Sequence, residues 1–287
     1  MRVSIIGGGR LGTSLGRALA RSGVSIRAVC DRTAVLAGRA RRAIGAGRMT
    51  TDPVDAAREA DVVFLCLPDD GLAGAARLLG RAARDWRGKT VFHCSGLLSS
   101  GILAPLRKRG ASVASFHPAQ SFPAKGLPPS VFRGITIGLE GDAAARATGR
   151  MIARRLGAEP LHLASRDKPL YHAACSLASN QTVVLFHLAS ELLAGAGMTP
   201  RKAEGVLWPL LQGTLRNVKK FRAAGALSGP LTRGDAASVR RHLAALKKHP
   251  RLRKVYKLLS LEGWKLVRRS GGSSSGAAAL SRLLGER

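Results

Sequence analysis

Short apolar runs alternate with amphipathic stretches through the first half of the chain. Residues 2–6, 24–30, 62–67, 90–94, 112–116 and 135–139 are each of strand length, and most are rich in Val, Ile or Phe. Between the early runs lie segments such as 13–22, where Leu15, Ala18 and Leu19 recur at helical spacing. That β-α-β rhythm predicts an α/β domain with a doubly wound, mainly parallel sheet. After about Pro160 the pattern changes. The strand-like runs stop, and 3.6-residue periodicity predicts one long helix over 168–196 and further helices over 199–222, 235–248 and 251–269, with Pro209 a kink or break in the second. Gly229, Pro230 and Gly234 mark a loop, and the Gly/Ser stretch 270–276 reads as flexible, followed by a short apolar turn. The expected organisation is a doubly wound α/β domain over 1–162 and an all-α domain over 163–287.

The first turn carries chemistry. Gly7, Gly9 and Gly12 form G-x-G-x-x-G between the strand 3–6 and a helix that begins with Arg10 and Leu11. In that setting glycines permit a tight turn and bring backbone amides up to a pyrophosphate at the helix N-terminus, the arrangement of a Rossmann domain. Asp31 follows at the end of the second strand, where a carboxylate binds a ribose 2′-hydroxyl and favours NAD. Arg32 and Thr33 beside it suit a 2′-phosphate and favour NADP. NADP is the expected cofactor, with NAD the alternative, and Pro68 after the third apolar run joins the expected cofactor wall.

Two further positions fall at strand ends. Ser95 follows the run 90–94 and His117 follows the run 112–116, so both should face the crevice at the carboxyl edge of the sheet, where a hydroxyl and an imidazole could polarise a reacting carbonyl. The alternative is that Ser95 caps a helix and His117 satisfies buried backbone. On the long helix His172, Ser176 and Ser179 share a stripe about 60° wide, with Asn180 at its edge, which makes His172, Ser179 and Asn180 candidate substrate ligands or members of an interdomain seam. Lys168, near the helix start, reads as a surface residue.

Composition narrows the classes. No run approaches the ~18 apolar residues of a membrane span, and the N-terminus lacks a signal-peptide pattern, so a soluble cytoplasmic protein is expected. Aromatics are only 4%, which predicts a core of Leu, Val, Ile and Ala rather than stacked rings. Cys30, Cys66, Cys94 and Cys175 show no metal-binding spacing and no disulfide framework, and no metal is expected. The 47 Lys and Arg against 17 Asp and Glu give +30, with 16 cations between Arg216 and Arg269. Few aromatics interleave that stretch, so it predicts salt-sensitive adsorption rather than specific nucleic-acid binding. A helix over 168–196 with more apolar residues than one face can bury predicts a homodimer.

The stretches IIGGGRLGTSLGRAL, DVVFLCLPDD, HCSGLLSSGILAPLRKRGASVASFHPAQSFP, YHAACSLASNQTVVLFHLASELL and GPLTRGDAASVRRHLAAL together resemble a family of Rossmann-type oxidoreductases whose C-terminal half is a domain without an assigned function. The resemblance implies a helical C-terminal domain similar to that of 6-phosphogluconate dehydrogenase, with the long helix in a dimer. More distantly the layout is similar to prephenate dehydrogenase and to ketopantoate and pyrroline-carboxylate reductases. The prephenate dehydrogenase likeness implies that Ser95 and His117 act beside the nicotinamide and that His172 contacts substrate. Ketopantoate reductases use a Lys and an Asn on the corresponding helix. Asn180 matches the latter, whereas Lys168 stands twelve residues before it rather than four. The implied function is an NAD(P)-dependent oxidoreductase for a small polar carbonyl, hydroxy-acid or imine compound, the alternative being a non-catalytic NAD(P)-binding sensor or scaffold.

Overall fold

The computed structural model describes residues 1–82, 85–271 and 276–285. Strands and helices alternate from the start: β1 (Arg2–Ile6), α1 (Arg10–Arg21), β2 (Ser25–Cys30), α2 (Ala34–Ile44), β3 (Arg48–Thr50), α3 (Pro53–Arg58), β4 (Val62–Leu65), α4 (Asp69–Ala82), β5 (Thr90–His93), α5 (Ala104–Arg107), β6 (Ser112–Pro118), β7 (Thr136–Gly141), α6 (Ala143–Arg155) and β8 (Glu159–His162). Helices follow: α7 (Lys168–Ala178), α8 (Asn180–Gly195), α9 (Pro200–Ala226), α10 (Ala236–Ala245), α11 (Pro250–Arg269) and α12 (Ala277–Leu284).

One eight-stranded sheet has the order β3-β2-β1-β4-β5-β6-β7-β8. Every pairing from β3 to β6 is parallel, which is the doubly wound arrangement expected, and β7 turns antiparallel to β6. The polarity change follows from connectivity, because no helix returns the chain between β6 and β7 and a short 3₁₀ turn (Pro129–Phe132) joins them instead. Two strands escaped the hydrophobic pattern. β3 (RMT) is too short to show alternation, and β8 (EPLH) is a mostly exposed edge.

Side chains alternate between two buried layers. Along β4, Val62 and Phe64 join Val3, Ile5 and Leu15 on one face, while Val63 and Leu65 join Leu72, Leu79 and Trp86 on the other. The core is mainly Leu, Val, Ile and Ala, as expected. Phe64, Phe92 and Phe116, on three adjacent strands, add one ring cluster with centroids 5.0 to 5.5 Å apart, one pair stacked and two edge-to-face, so three of the few aromatics concentrate at the sheet centre.

The compact units divide after Asn180, later than the boundary expected near 162, into Met1–Asn180 and Gln181–Arg287. The first unit keeps α7 because the Lys168 side chain is fully buried within it, bonded to the ends of β5 and β6. The single helix expected over 168–196 is broken, with Ser179 between α7 and α8 at φ −111°, ψ −74°. In the second unit α10, α11 and α12 close a small core around Trp264, with Val239, Leu243, Leu280 and Leu284. Helix α9 continues through Pro209 and loses helical geometry at Arg222. Residues 272–275, most of the Gly/Ser stretch expected to be flexible, lie outside the described residues. Among those described, no helix is long and apolar enough to cross a membrane.

Candidate active site

The turn after β1 is built by steric exclusion. Gly7 has φ +105° and donates its N–H to the Cys30 carbonyl at 2.9 Å, and a Cβ there would meet the Cys66 carbonyl oxygen at 2.3 Å. A Cβ on Gly12 would meet the Gly7 carbonyl oxygen at 2.0 Å. Gly9 differs, since nothing lies within 4 Å of the Cβ position, and Gly9 and Arg10 are exposed with Leu11 half-buried. Two glycines thus fold the turn and one keeps its outer side open. The N-terminus of α1 has no side-chain cap and no acidic residue in its first turn, so its partial positive charge is left for an anion.

The end of β2 completes this surface. Both oxygens of the half-buried Asp31 carboxylate accept backbone N–H groups, from Gly8 at 3.1 Å and from Arg32 at 2.7 Å. Thr33 caps α2, its hydroxyl oxygen accepting from Leu36 N–H at 3.2 Å, which leaves the hydroxyl proton to donate elsewhere. Arg32 is exposed and has no ion-pair partner among the described residues. Pro68 is exposed at the start of α4, where its carbonyl accepts from Gly71 N–H at 3.0 Å.

A second group gathers at the ends of β5 and β6, which pair in parallel. His117 and Tyr171 are joined Nδ1 to Oη at 3.1 Å, and the His172 ring stands edge-on to His117 with centroids 5.8 Å apart. Gly96 makes room for both imidazoles, since a Cβ there would lie 2.7 Å from His117 Nε2 and 2.6 Å from His172 Cδ2. Burial first, then the charges of Lys168 and His172, pull the His117 pKa down to about 4. Burial pushes the Tyr171 phenol up, so it stays a donor. A cavity of about 470 Å³ opens here, lined by His117, Gln120, His172, Ser176, Ser179 and Asn180 among others.

The expected residues therefore divide. His117, His172, Ser179 and Asn180 line one cavity. Ser95 does not line it: the residue is buried, and its hydroxyl oxygen accepts Leu97 and Leu98 N–H at 3.2 and 3.0 Å, closing a loop turn rather than capping a helix, since the 3₁₀ helix that follows begins at Ser100 with Ser99 before it. Lys168 reverses its expected surface placement. Its ammonium donates to the Ser95 carbonyl at 3.1 Å and to the Ser115 hydroxyl at 2.6 Å, and burial lowers its pKa. It ties the loop just after β5 to β6, two residues before His117. Buried Glu140 was also missed. It accepts from Ser100 N–H at 2.7 Å, Ser100 Oγ at 2.9 Å and Ser165 Oγ at 2.7 Å, clasping the loop after Ser95 to the segment just before Lys168. A signal for Lys168 and Tyr171 was present, because 168, 171, 172, 175, 176 and 179 follow helical spacing along one stripe. Nothing local marks Glu140 or Gly96, whose roles arise from long-range packing.

Comparison with known proteins agrees with the fold. Residues 1–118 match the family model of a Rossmann-like domain, and residues 135–262 match that of a domain of unknown function, DUF2520. No curated protein matches the chain. Among solved structures, BF3122 of Bacteroides fragilis, provisionally named an NADP oxidoreductase, is 25% identical with TM-score 0.76, the match covering 92% of this chain and 98% of that one. Protein TM1727 of Thermotoga maritima is 26% identical with TM-score 0.73, covering 93% and 99%. A reductive aminase from Aspergillus terreus, solved with NADPH and ethyl-5-oxohexanoate, shares the fold at 16% identity and TM-score 0.64, covering 98% and 99%. The chain is thus similar to a Rossmann-like domain in its first part and to the domain of unknown function in its second.

Proposed function

We propose that the protein is an NADP(H)-dependent oxidoreductase acting on a small polar compound with a reducible C=O or C=N bond. The observation that carries this reading is the pairing, at the carboxyl edge of one sheet, of an open glycine cradle with His117, which Tyr171 holds from behind and which lines a cavity of about 470 Å³. The residues present suit a dinucleotide. Gly7 and Gly12 are sterically obligatory, Gly9 leaves space, and the α1 N-terminus offers uncapped amides to a pyrophosphate. The bound cofactor would supply the hydride. Structural neighbours named for NADP or solved with NADPH support the choice of cofactor.

The chain's own residues supply the rest. Tyr171 O–H donates to His117 Nδ1, which fixes the neutral tautomer carrying its proton on Nε2. That proton is offered to the substrate oxygen or nitrogen as negative charge develops there. His172, Ser179 and Asn180 orient the substrate from the cavity wall. Ser95 positions rather than reacts.

Asp31 is held by backbone amides on both oxygens, and the cation beside it that suits a 2′-phosphate is the exposed Arg32. Replacing Arg32 by Ala removes a charge-assisted contact of about 1.5–3 kcal/mol to a 2′-phosphate. Calorimetric titration should show that loss for NADPH and almost none for NADH; equal losses would overturn the assignment of Arg32.

The protein is proposed to act as a homodimer. Helices α8 and α9 bury only Ser190 and Ala203, and leave Val183, Trp208, Leu210, Leu215 and Phe221 exposed on the single chain. Light scattering at micromolar concentration should give twice the chain mass, and a folded monomer would refute the dimer.

A further inference from the structure

The ends of β4 and β5 carry two free thiols side by side. The parallel register sets Leu65 beside His93, so the next residues outward are Cys66 and Cys94, and their sulfurs lie 3.7 Å apart. Neighbouring strands run about 4.8 Å apart, which falls inside the Cα separation of roughly 4.4–6.8 Å that a disulfide spans. Cys94 is buried and Cys66 half-buried. Cys66 is also the wall of the glycine turn. Its N–H donates to the Ile6 carbonyl at 2.8 Å, its carbonyl blocks the Cβ position of Gly7, and its Cβ lies 3.0 Å from the Cβ position of Gly12.

We propose that Cys66 and Cys94 form an oxidisable pair whose disulfide weakens dinucleotide binding at the adjacent turn. The proposal rests on the reading that Gly7, Gly9 and Gly12 hold NADP(H). With hydrogen peroxide as oxidant, the more accessible Cys66 sulfur attacks one peroxide oxygen, the O–O bond breaks, and Cys66 becomes a sulfenic acid as one water leaves. Cys94 sulfur then displaces hydroxide from Cys66 sulfur, and its thiol proton leaves with the hydroxide as a second water. Two thiols are oxidised by two electrons and the peroxide is reduced to two waters. The hydrogen bond with Cys66 and burial hold the Cys94 thiol protonated, which makes Cys66 the site of first attack.

Closing the sulfurs from 3.7 Å to about 2 Å draws Cys66 toward β5 and away from the turn that packs against it. By linkage the effect is reciprocal: whatever factor the disulfide takes from dinucleotide affinity, bound dinucleotide takes from the tendency of the pair to oxidise.

The test uses the full chain, oxidised with hydrogen peroxide, digested and mapped by mass spectrometry, with NADPH titrated calorimetrically before oxidation, after it, and after dithiothreitol. The expected result is a linked pair of peptides carrying Cys66 and Cys94, and an affinity lowered by about 5- to 150-fold and restored by reduction. In C94S, and in C66S should the first variant fold poorly, peroxide should produce neither the link nor the reversible change. Reduced protein that binds NADPH but never links, or links with unchanged affinity, overturns this proposal alone. Reduced protein that fails to bind NADPH overturns the dinucleotide reading and this proposal with it.

Discussion

His117→Ala should lower turnover by roughly 10²–10⁴-fold while leaving NADPH affinity near that of the wild type. The imidazole lines the substrate cavity, and the glycine cradle is formed by other residues, so binding of cofactor and chemistry should separate. Tyr171→Phe should give a smaller loss, because the ring still packs edge-on against His117 while the hydrogen bond that sets its tautomer is gone. If His117 served only to satisfy its surroundings, the alanine variant would melt earlier and keep its rate per folded molecule. Turnover and melting temperature measured on one preparation decide between the two.

Acid should destabilise this protein well before its carboxylates are protonated. His93 is fully buried with its pKa pulled to about 3, and His117 is pulled to about 4, in both cases first by burial and next by the Lys168 charge. An unfolded histidine titrates near 6.5. Between that value and the folded pKa the unfolded chain binds more protons than the folded one, so stability rises with pH and is lost as pH falls through this window. Each histidine contributes up to about 1.4 kcal/mol per pH unit there. Going from neutral pH to 4.5 should therefore remove on the order of 4 kcal/mol, a large share of a typical 5–15 kcal/mol. Urea unfolding at the two values checks it, and His93→Phe should flatten the dependence. Equal midpoints at both would contradict the buried neutral histidines.

The sequence exposed those parts of the fold and site that depend on local pattern. Apolar runs marked the inner strands of the sheet, and G-x-G-x-x-G between strand and helix marked the cradle, because a turn this crowded tolerates few residue types. The stripe of His172, Ser176 and Ser179 was readable from helical spacing, whereas Asn180, at its edge, belongs to the next helix and reaches the same cavity across the break at Ser179. What stayed hidden depends on distant partners. Lys168 looks like a surface cation until Ser95 and Ser115 are brought to it from two strands, and Glu140 looks like any carboxylate until two serines from separate segments close on it. The helix expected to run unbroken from 168 divides at Ser179, which stands at φ −111°, ψ −74° between α7 and α8. The short β3 and the exposed β8 carry too little apolar signal to be seen.

The central claim is that hydride passes between NADP(H) and a substrate held beside His117. Its most direct test incubates the protein with NADPH deuterated at the transferable position of the nicotinamide and a panel of small keto acids and cyclic imines, and weighs the products. The account predicts a reduced product carrying one deuterium on the former carbonyl or imine carbon, formed by the wild type and nearly absent with His117→Ala. Tight NADPH binding with no labelled product from any member of the panel would contradict it, and would favour a dinucleotide-binding sensor instead.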